Sequence, residues 1–360
     1  MVTGHTGFKG AWLVEWLLSL ECEVAGFSLQ EEVSEPALFP LLKQSNRILD
    51  IRGDLRSSAT LSEAVRQIQP EFIFHLAAQP IVRRSYKDPV ATYETNVMGT
   101  IRLLEVIREF DNQCVVVIVT SDKCYLNQEW MHAYREDDSL GGHDPYSASK
   151  ACVELVVASY RNSFFQQSSG VFLASGRAGN VIGGGDWGQD RILPDCVKAL
   201  SSGTSIHLRN PGATRPWQFV LEPLGGYLLL AASIDAAAAD GDRERLRELC
   251  APFNFGPDSR SNRSVDILVR EVLKHWPGEM TVEQDSSAPH EAGKLNLAAD
   301  TAYHLLGWHP VWDFERTIAE TVSWYRNFLD SGRSEEIADF TRRQINAYSA
   351  DGTTLSINSK

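Results

Sequence analysis

Glycine recurs at every third position in Thr3-Gly4-His5-Thr6-Gly7-Phe8-Lys9-Gly10, and an apolar helical run, Ala11-Trp12-Leu13-Val14-Glu15-Trp16-Leu17-Leu18, follows at once. Gly4 permits a turn that a side chain would block. Gly7 lets backbone N–H groups approach a pyrophosphate, and Gly10 lets the helix pack closely on a sheet. The helix N-terminus adds partial positive charge at the same place. A plain strand-to-helix corner can use the same residues, so the surroundings matter. Residues 23–28 read as a short buried strand, which completes the βαβ unit the motif requires. The turn therefore predicts a bound dinucleotide. Only Met1 and Val2 precede it, so the first strand is expected to be very short or cut back.

The same alternation continues along the first half. Residues 48–51, 71–76, 114–119 and 171–175 read as strands, and 61–68, 93–110 and 147–165 as helices. This predicts an α/β fold, a Rossmann-type doubly wound parallel sheet with ligands at the carboxyl ends of its strands. Beyond about residue 178 glycine, proline and tryptophan become frequent, as in Gly183-Gly184-Gly185-Asp186-Trp187. We expect a dinucleotide-binding domain over 1–177 and, over 178–340, mainly a smaller C-terminal substrate-binding lobe interleaved with returns to the sheet. Residues 234–250 read as an exposed helix or loop, and 341–360 as a polar tail, frayed after Ser349.

Composition narrows the partners. A net charge of −13 argues against nucleic acid, because a polyanion would be repelled. Cys22, Cys114, Cys124, Cys152, Cys196 and Cys250 show neither a CxxC pair nor metal-ligand spacing, and suit buried thiols in a reducing cytoplasm. No metal, no signal peptide and no membrane span are expected; the most apolar run, 227–234, is too short to cross a bilayer.

Tyr146-Ser147-Ala148-Ser149-Lys150 puts a phenol and an amine on one helix face. A nearby ammonium stabilises a phenolate, so Tyr146 is expected to act as a base below the ordinary phenol range. The strand 114–119 runs into Thr120-Ser121-Asp122-Lys123-Cys124-Tyr125, a polar cluster at a strand's carboxyl end. There Ser121 could hydrogen-bond a substrate hydroxyl that Tyr146 deprotonates.

With these residues in hand, the chain resembles the extended short-chain dehydrogenase/reductases. The turn 3–10, Asp54, Leu76-Ala77-Ala78-Gln79, Asn96, Tyr146 with Lys150, and Asn180 fall where that family has its motifs, and the likeness runs to about residue 330. More narrowly it is similar to the nucleotide-sugar 4,6-dehydratases, and within them to the CDP-glucose type. The closest signatures are 4–10, 120–125, Asn180-Val181-Ile182-Gly183-Gly184-Gly185-Asp186-Trp187 and Arg215-Pro216-Trp217-Gln218.

The resemblance implies NAD as cofactor, held by Gly4, Thr6, Gly7, Phe8, Gly10, Asp54, Leu55, Ala77, Ala78, Gln79, Asn96, Tyr146 and Lys150. It implies a nucleotide-sugar substrate, CDP-glucose, contacted by Asn180, Arg191, Arg209 and Arg215, and a homo-oligomer. The implied chemistry oxidises the sugar at C4, removes a proton from C5, expels the C6 hydroxyl as water and reduces C6. Beyond Ser121, Tyr146 and Lys150 this needs two further proton-transfer groups: Asp122 as acid and Lys123 as base. A free lysine is charged at neutral pH, so Lys123 either is neutralised by its surroundings or, charged, stabilises the enolate. Asp122 must be desolvated to serve as an acid.

Other readings stay open. A 4-epimerase of the same fold needs no second acid/base pair, and a catalytically dead dinucleotide sensor would not need Tyr146 and Lys150. Ser28 stands where NAD sites usually carry an acid, and the following Glu31, Glu32 and Glu35, with no Lys or Arg among them, disfavour a 2′-phosphate. Asp54 could instead be a turn cap, and Trp217 or Phe219 core residues.

Overall fold

The computed structural model describes residues 1–30, 36–165, 170–188, 191–282, 294–331 and 334–358. Glu31, Glu32 and Glu35 lie outside the described residues. Seven parallel strands form one sheet: β1 (Val2–Thr3), β2 (Ala25–Ser28), β3 (Leu49–Arg52), β4 (Phe72–His75), β5 (Cys114–Val119), β6 (Val171–Arg177) and β7 (Pro252–Asn254). Their spatial order is 3-2-1-4-5-6-7. The chain reverses direction of build between β1 and β4, and such a switch point opens a crevice beyond the strand ends. The two-residue β1 is paired on both sides, Val2 opposite Gly26 and Phe74, so its brevity does not interrupt the sheet.

β5 shows why the sheet is buried on both faces. Val115, Val117 and Val119 point into one core with Trp12, Leu224 and Trp324, while Cys114, Val116 and Ile118 point into another with Leu61, Leu103 and Val157. The strand period of two sorts a continuous β-branched run between two layers. Each fully buried side chain of this kind contributes about 1.5–3 kcal/mol. The second layer comes from α2 (Ser58–Ile68), α3 (Gly99–Arg108) and α4 (Pro145–Ser163). The first comes from α1 (Phe8–Ser19) and from later parts of the chain.

After β6 the chain builds a smaller lobe. Its core, with Leu193, Cys196, Leu208, Trp217, Leu268 and Phe314, is separate from the two sheet layers. The lobe contains α5 (Ile192–Ser201) and α7 (Val265–His275), while α6 (Leu221–Ala239) returns to the sheet before β7 pairs with β6.

Three expectations need correction. Residues 93–110 are not one helix: Pro89–Tyr93 leads into a π-helical turn, Glu94–Met98, and only then α3. Residues 234–250 are not merely an exposed segment, since Ile234, Leu246 and Leu249 are buried. The stretch 341–360 is not a detached tail. After α8 (Phe314–Ser331), α9 (Ser334–Asn358) docks on the sheet layer and buries Ile337, Ile345 and Tyr348. Its polar composition hid an apolar stripe at helical spacing.

Candidate active site

The glycine turn is wedged between two strands. Gly4 N–H donates to Phe27 O at 2.8 Å, and Gly4 has φ of 72°, where a Cβ would lie 2.7 Å from Ala77 N. A Cβ on Gly10 would lie 2.1 Å from the Gly4 carbonyl oxygen, so α1 can approach the turn only as glycine. Gly7 caps α1 in an extended conformation with no side chain to occupy the helix's first N–H groups. That cradle fits a dinucleotide pyrophosphate, and Thr6 and the half-buried Phe8 complete it. Ala77 and Ala78, half-buried after β4, form the opposite wall.

Other residues implied for the cofactor have internal partners. Asp54 accepts from Arg56 N at 2.9 Å and ion-pairs with its guanidinium at 2.6 Å, which holds the Asp54 carboxyl below its ordinary range. Its turn-capping role is therefore real, and Leu55 is buried beneath it. Gln79 and Asn96 are tied together: Asn96 Oδ1 accepts from Gln79 N at 2.8 Å, and its amide donates to Gln79 O at 3.2 Å and to Ser149 Oγ at 2.9 Å. The π turn thus links the loop after β4 to α4. Ser28 lies opposite Arg52 on β3, a cation that a reading along the chain missed. Arg52 is engaged by Asp50 at 2.8 Å.

α4 begins with Asp144 accepting from Ser147 N at 2.9 Å and Pro145 in the first turn, a strong helix start that fixes Tyr146 and Lys150. Both are buried. Lys150 Nζ donates to Val119 O at 3.3 Å, at the carboxyl end of β5. Burial pushes the Lys150 amine down to about 8, partly offset by Glu154. Tyr146 departs from expectation: burial pushes its phenol up to about 12, against the lowering effects of a hydrogen bond with Ser121 and of Arg191. Desolvation outweighs the nearby cations, so the phenolate needs further positive charge.

The turn after β5 completes the cluster. Ser121 Oγ donates to Asp122 Oδ1 at 2.9 Å and accepts from Lys123 N at 3.3 Å. Asp122 is buried, and its Oδ2 has no hydrogen-bond partner. A Cβ on Gly179 would lie 2.1 Å from that oxygen, so glycine is what leaves room for the carboxylate. Lys123 is half-buried on the 3-10 turn Asp122–Cys124. Behind the turn Glu154 accepts from Thr120, from Ser175 at 2.9 Å and from Arg177 at 2.8 Å.

Of the residues implied for substrate, Arg191 acts electrostatically on Tyr146 and is held by Asp186 at 2.5 Å. Half-buried Asn180 follows Gly179, which abuts Asp122, and its carbonyl accepts from Gln218 N at 3.4 Å. Arg215 is buried on a strand paired with Asn262–Ser264, and Arg209 is exposed beyond Ile206–Leu208. Trp217 donates to Arg263 O at 2.9 Å and Phe219 is wholly buried, so both are core residues. Sequence reasoning missed Lys9 as a site residue: it feels Lys150, Arg191 and Asp122. Its place inside the glycine motif was the available signal. Among the described residues no cluster could hold a metal ion, all six cysteines are free, and no helix is long and apolar enough to cross a membrane.

A family model described as GDP-mannose 4,6 dehydratase matches residues 1–321. CDP-glucose 4,6-dehydratase of Salmonella typhimurium is 41% identical over 352 residues, covering 96% of this chain and 95% of that protein. UDP-glucose 4-epimerase of Mycolicibacterium smegmatis is 28% identical over 336 residues, 91% and 98% of the two chains. Among solved structures, DesIV, the dTDP-glucose 4,6-dehydratase of Streptomyces venezuelae, superposes with a TM-score of 0.74 at 24% identity, covering 90% of this chain and 96% of that one. That last likeness concerns the fold. By sequence over nearly its full length, the chain belongs to the GDP-mannose 4,6 dehydratase family, built on the extended short-chain dehydrogenase/reductase fold.

Proposed function

We propose that this protein is an NAD-dependent CDP-glucose 4,6-dehydratase, a lyase that converts CDP-glucose to CDP-4-dehydro-6-deoxyglucose and water. The observation that carries the reading is the joining of Asp122 to the Ser121–Tyr146 pair: a second proton-transfer group, with one buried unpartnered oxygen, beside the oxidising phenol. An epimerase, which needs only a reversible oxidation at C4, has no use for it. The choice of cytidine rests on the 41% identical relative.

Gly4, Gly7 and Gly10 would hold the cofactor's pyrophosphate; Arg52, the cation opposite Ser28, is already engaged by Asp50, which weakens the pull it would exert on a 2′-phosphate. When bound, NAD supplies a reversible two-electron acceptor, reduced in the first half-reaction and reoxidised in the last.

Tyr146 takes the proton from the C4 hydroxyl, with Ser121 orienting that hydroxyl and Arg191 and Lys150 supplying positive charge. Lys150, one helical turn beyond Tyr146 on α4, anchors its amine on Val119 O at 3.3 Å. The 4-ketone acidifies the C5 hydrogen, and Lys123 receives that proton or, charged, stabilises the enolate while another group takes the proton. Asp122 protonates the C6 oxygen as it leaves. C5 regains a proton as C6 is reduced, so the proton Tyr146 took from O4 offsets the one delivered to O6. The buried setting excludes water from the intermediate.

Incubation with NAD⁺ and CDP-, UDP- or dTDP-glucose tests this through the alkaline absorbance of the keto sugar. Product from CDP-glucose supports the assignment; product from another nucleotide alone refutes it. Asp122→Asn should still oxidise C4, seen as reduced cofactor, yet lose dehydration by about a hundredfold or more. Lys123→Met with undiminished activity would dismiss both roles given to Lys123.

A further inference from the structure

The turn after β5 is held at its two ends by different parts of the fold. At the near end Thr120 donates to Glu154, on the same helix that carries Tyr146 and Lys150, and its backbone N–H donates to Gly176 O at 2.9 Å. Ser121, the partner of Tyr146, follows directly. At the far end stands Tyr125, a buried residue that the reaction above leaves without a task. Its hydroxyl donates to Asn254 Oδ1 at 2.7 Å and accepts from Arg177 at 2.8 Å. Between the two ends lie Asp122 and Lys123. Their 3-10 turn is closed by Cys124 N donating to Ser121 O at 3.1 Å and Tyr125 N to Asp122 O at 3.4 Å.

The two anchors of Tyr125 are fixed posts. Asn254 and Arg177 are register partners at the ends of β7 and β6. The Asn254 amide nitrogen is committed to Tyr134 O at 2.9 Å and Ala298 O at 3.1 Å, so its oxygen is what faces the phenol. Its backbone N–H donates to Glu136 Oε1 at 2.8 Å. Arg177 is tied to Glu154 at 2.8 Å and to Glu136 O at 2.9 Å. The Tyr125 ring stacks on Tyr134, with centroids 5.1 Å apart, and the Arg177 guanidinium lies 5.0 Å from its own centroid. Packing thus fixes the plane of the ring. The hydroxyl fixes how far the ring reaches along its own axis, and so where the end of the catalytic turn stands against β6 and β7.

Little else sets Asp122 and Lys123. The Asp122 carboxylate receives the Ser121 hydroxyl on one oxygen and nothing on the other. Lys123 makes no side-chain hydrogen bond or ion pair among the described residues. Accepting the dehydratase reading, we propose that Tyr125 is a positioning residue for the dehydration half of the reaction. Its hydroxyl, held between Asn254 and Arg177, sets where Asp122 and Lys123 meet C6 and C5 of the sugar. Oxidation at C4 relies on Ser121 and Tyr146, which the near end holds.

Tyr125→Phe removes one oxygen and keeps the stacked ring, so it isolates the hydroxyl. NAD⁺ titration counts the working sites, and both half-reactions are expressed per site. In a single turnover with CDP-glucose, reduced cofactor should form within about twofold of the unchanged rate, and KM should shift no more than that. Keto sugar should form about tenfold to a hundredfold more slowly, the loss expected when a reacting group is misplaced by about 1 Å. Tyr134→Phe deletes the hydroxyl of the neighbouring ring, which is bonded to Gln128 and Asn127 and not to the anchors of the turn, and should alter neither step.

A merely structural Tyr125 would lower both steps together, and that result overturns the proposal. So does full product formation, or a change confined to KM. Should Tyr125→Phe fail to fold, Arg177→Lys asks the same question, since it keeps the charge facing Glu154 but offers one nitrogen where the guanidinium uses two. Reduced cofactor that forms without keto sugar supports the proposal there, and parallel loss of both overturns it. An unchanged protein that makes no keto sugar from CDP-, UDP- or dTDP-glucose sinks the dehydratase reading, and the role of Tyr125 with it. Normal turnover in both the unchanged protein and Tyr125→Phe refutes Tyr125 alone.

Discussion

Replacing Glu154 by glutamine removes a negative charge from directly behind the catalytic turn. The carboxylate is 3% exposed and so is Arg177, its partner at 2.8 Å. Thr120 and Ser175 also donate to it. Glutamine keeps the shape and can still offer its amide oxygen to Arg177, but it removes the counter-charge and leaves Arg177 a buried cation whose other hydrogen bonds go to neutral groups, Tyr125 and the Glu136 carbonyl. Breaking one side of a buried pair costs about 3–5 kcal/mol. Arg177→Met should cost a similar amount, because Glu154 then lacks its counter-ion. The double variant removes both charges, so the two costs should not add: a coupling energy of at least about 2 kcal/mol is expected. Urea unfolding followed by circular dichroism measures all four proteins. Simple additivity, or a Glu154→Gln cost under about 1 kcal/mol, would show that the pair is not the buried unit described here. The site supplies a second reading. Glu154 raises the Lys150 amine, so its loss should move Lys150 further below about 8 and shift the alkaline limb of activity to lower pH.

Gly10→Ala should abolish tight dinucleotide binding, because its Cβ would fall 2.1 Å from a backbone oxygen of the turn; calorimetric titration with NAD⁺ checks this, and unchanged affinity contradicts the cradle. His75, hydrogen-bonded to Thr3 and Thr100, is pushed down to about 3 by burial. It stays neutral in the folded chain while the unfolded chain protonates, so its contribution to stability is full above about pH 6.5 and falls as pH drops toward 3. At pH 5 the loss should be about 2 kcal/mol relative to pH 8, and His75→Gln should lack that part of the acid sensitivity in urea titrations at the two pH values.

The local signals were the readable ones. The glycine spacing, the β-branched run of β5 and the Tyr146–Lys150 spacing each depend on neighbours in sequence, and each appears where expected. What escaped depends on contacts across the fold. Arg52 stands opposite Ser28 only because β2 and β3 are neighbours. The phenol of Tyr146 rises because several elements bury it, a quantity no spacing encodes. The π turn at 94–98 arises where Asn96 meets both Gln79 and Ser149, and a helical pattern alone cannot distinguish it from regular helix. The polar stretch that forms α9 reads as tail because its apolar positions are sparse and matter only once α8 and α1 lie against them.

α9 has a consequence for how the molecule is made. Arg342 donates to Glu15 in the middle of α1 at 2.7 Å, Tyr348 stacks edge-on against Trp16, and its hydroxyl meets Glu222 on α6 at 2.7 Å. Glu15 is otherwise held by Arg47 and Gln44. α1 is thus clamped by a segment about three hundred residues further along the chain. During synthesis α1 waits with its apolar face uncovered, a window for chaperone capture, and a fusion or deletion engineered around residues 334–358 will be felt at the helix that closes the glycine turn.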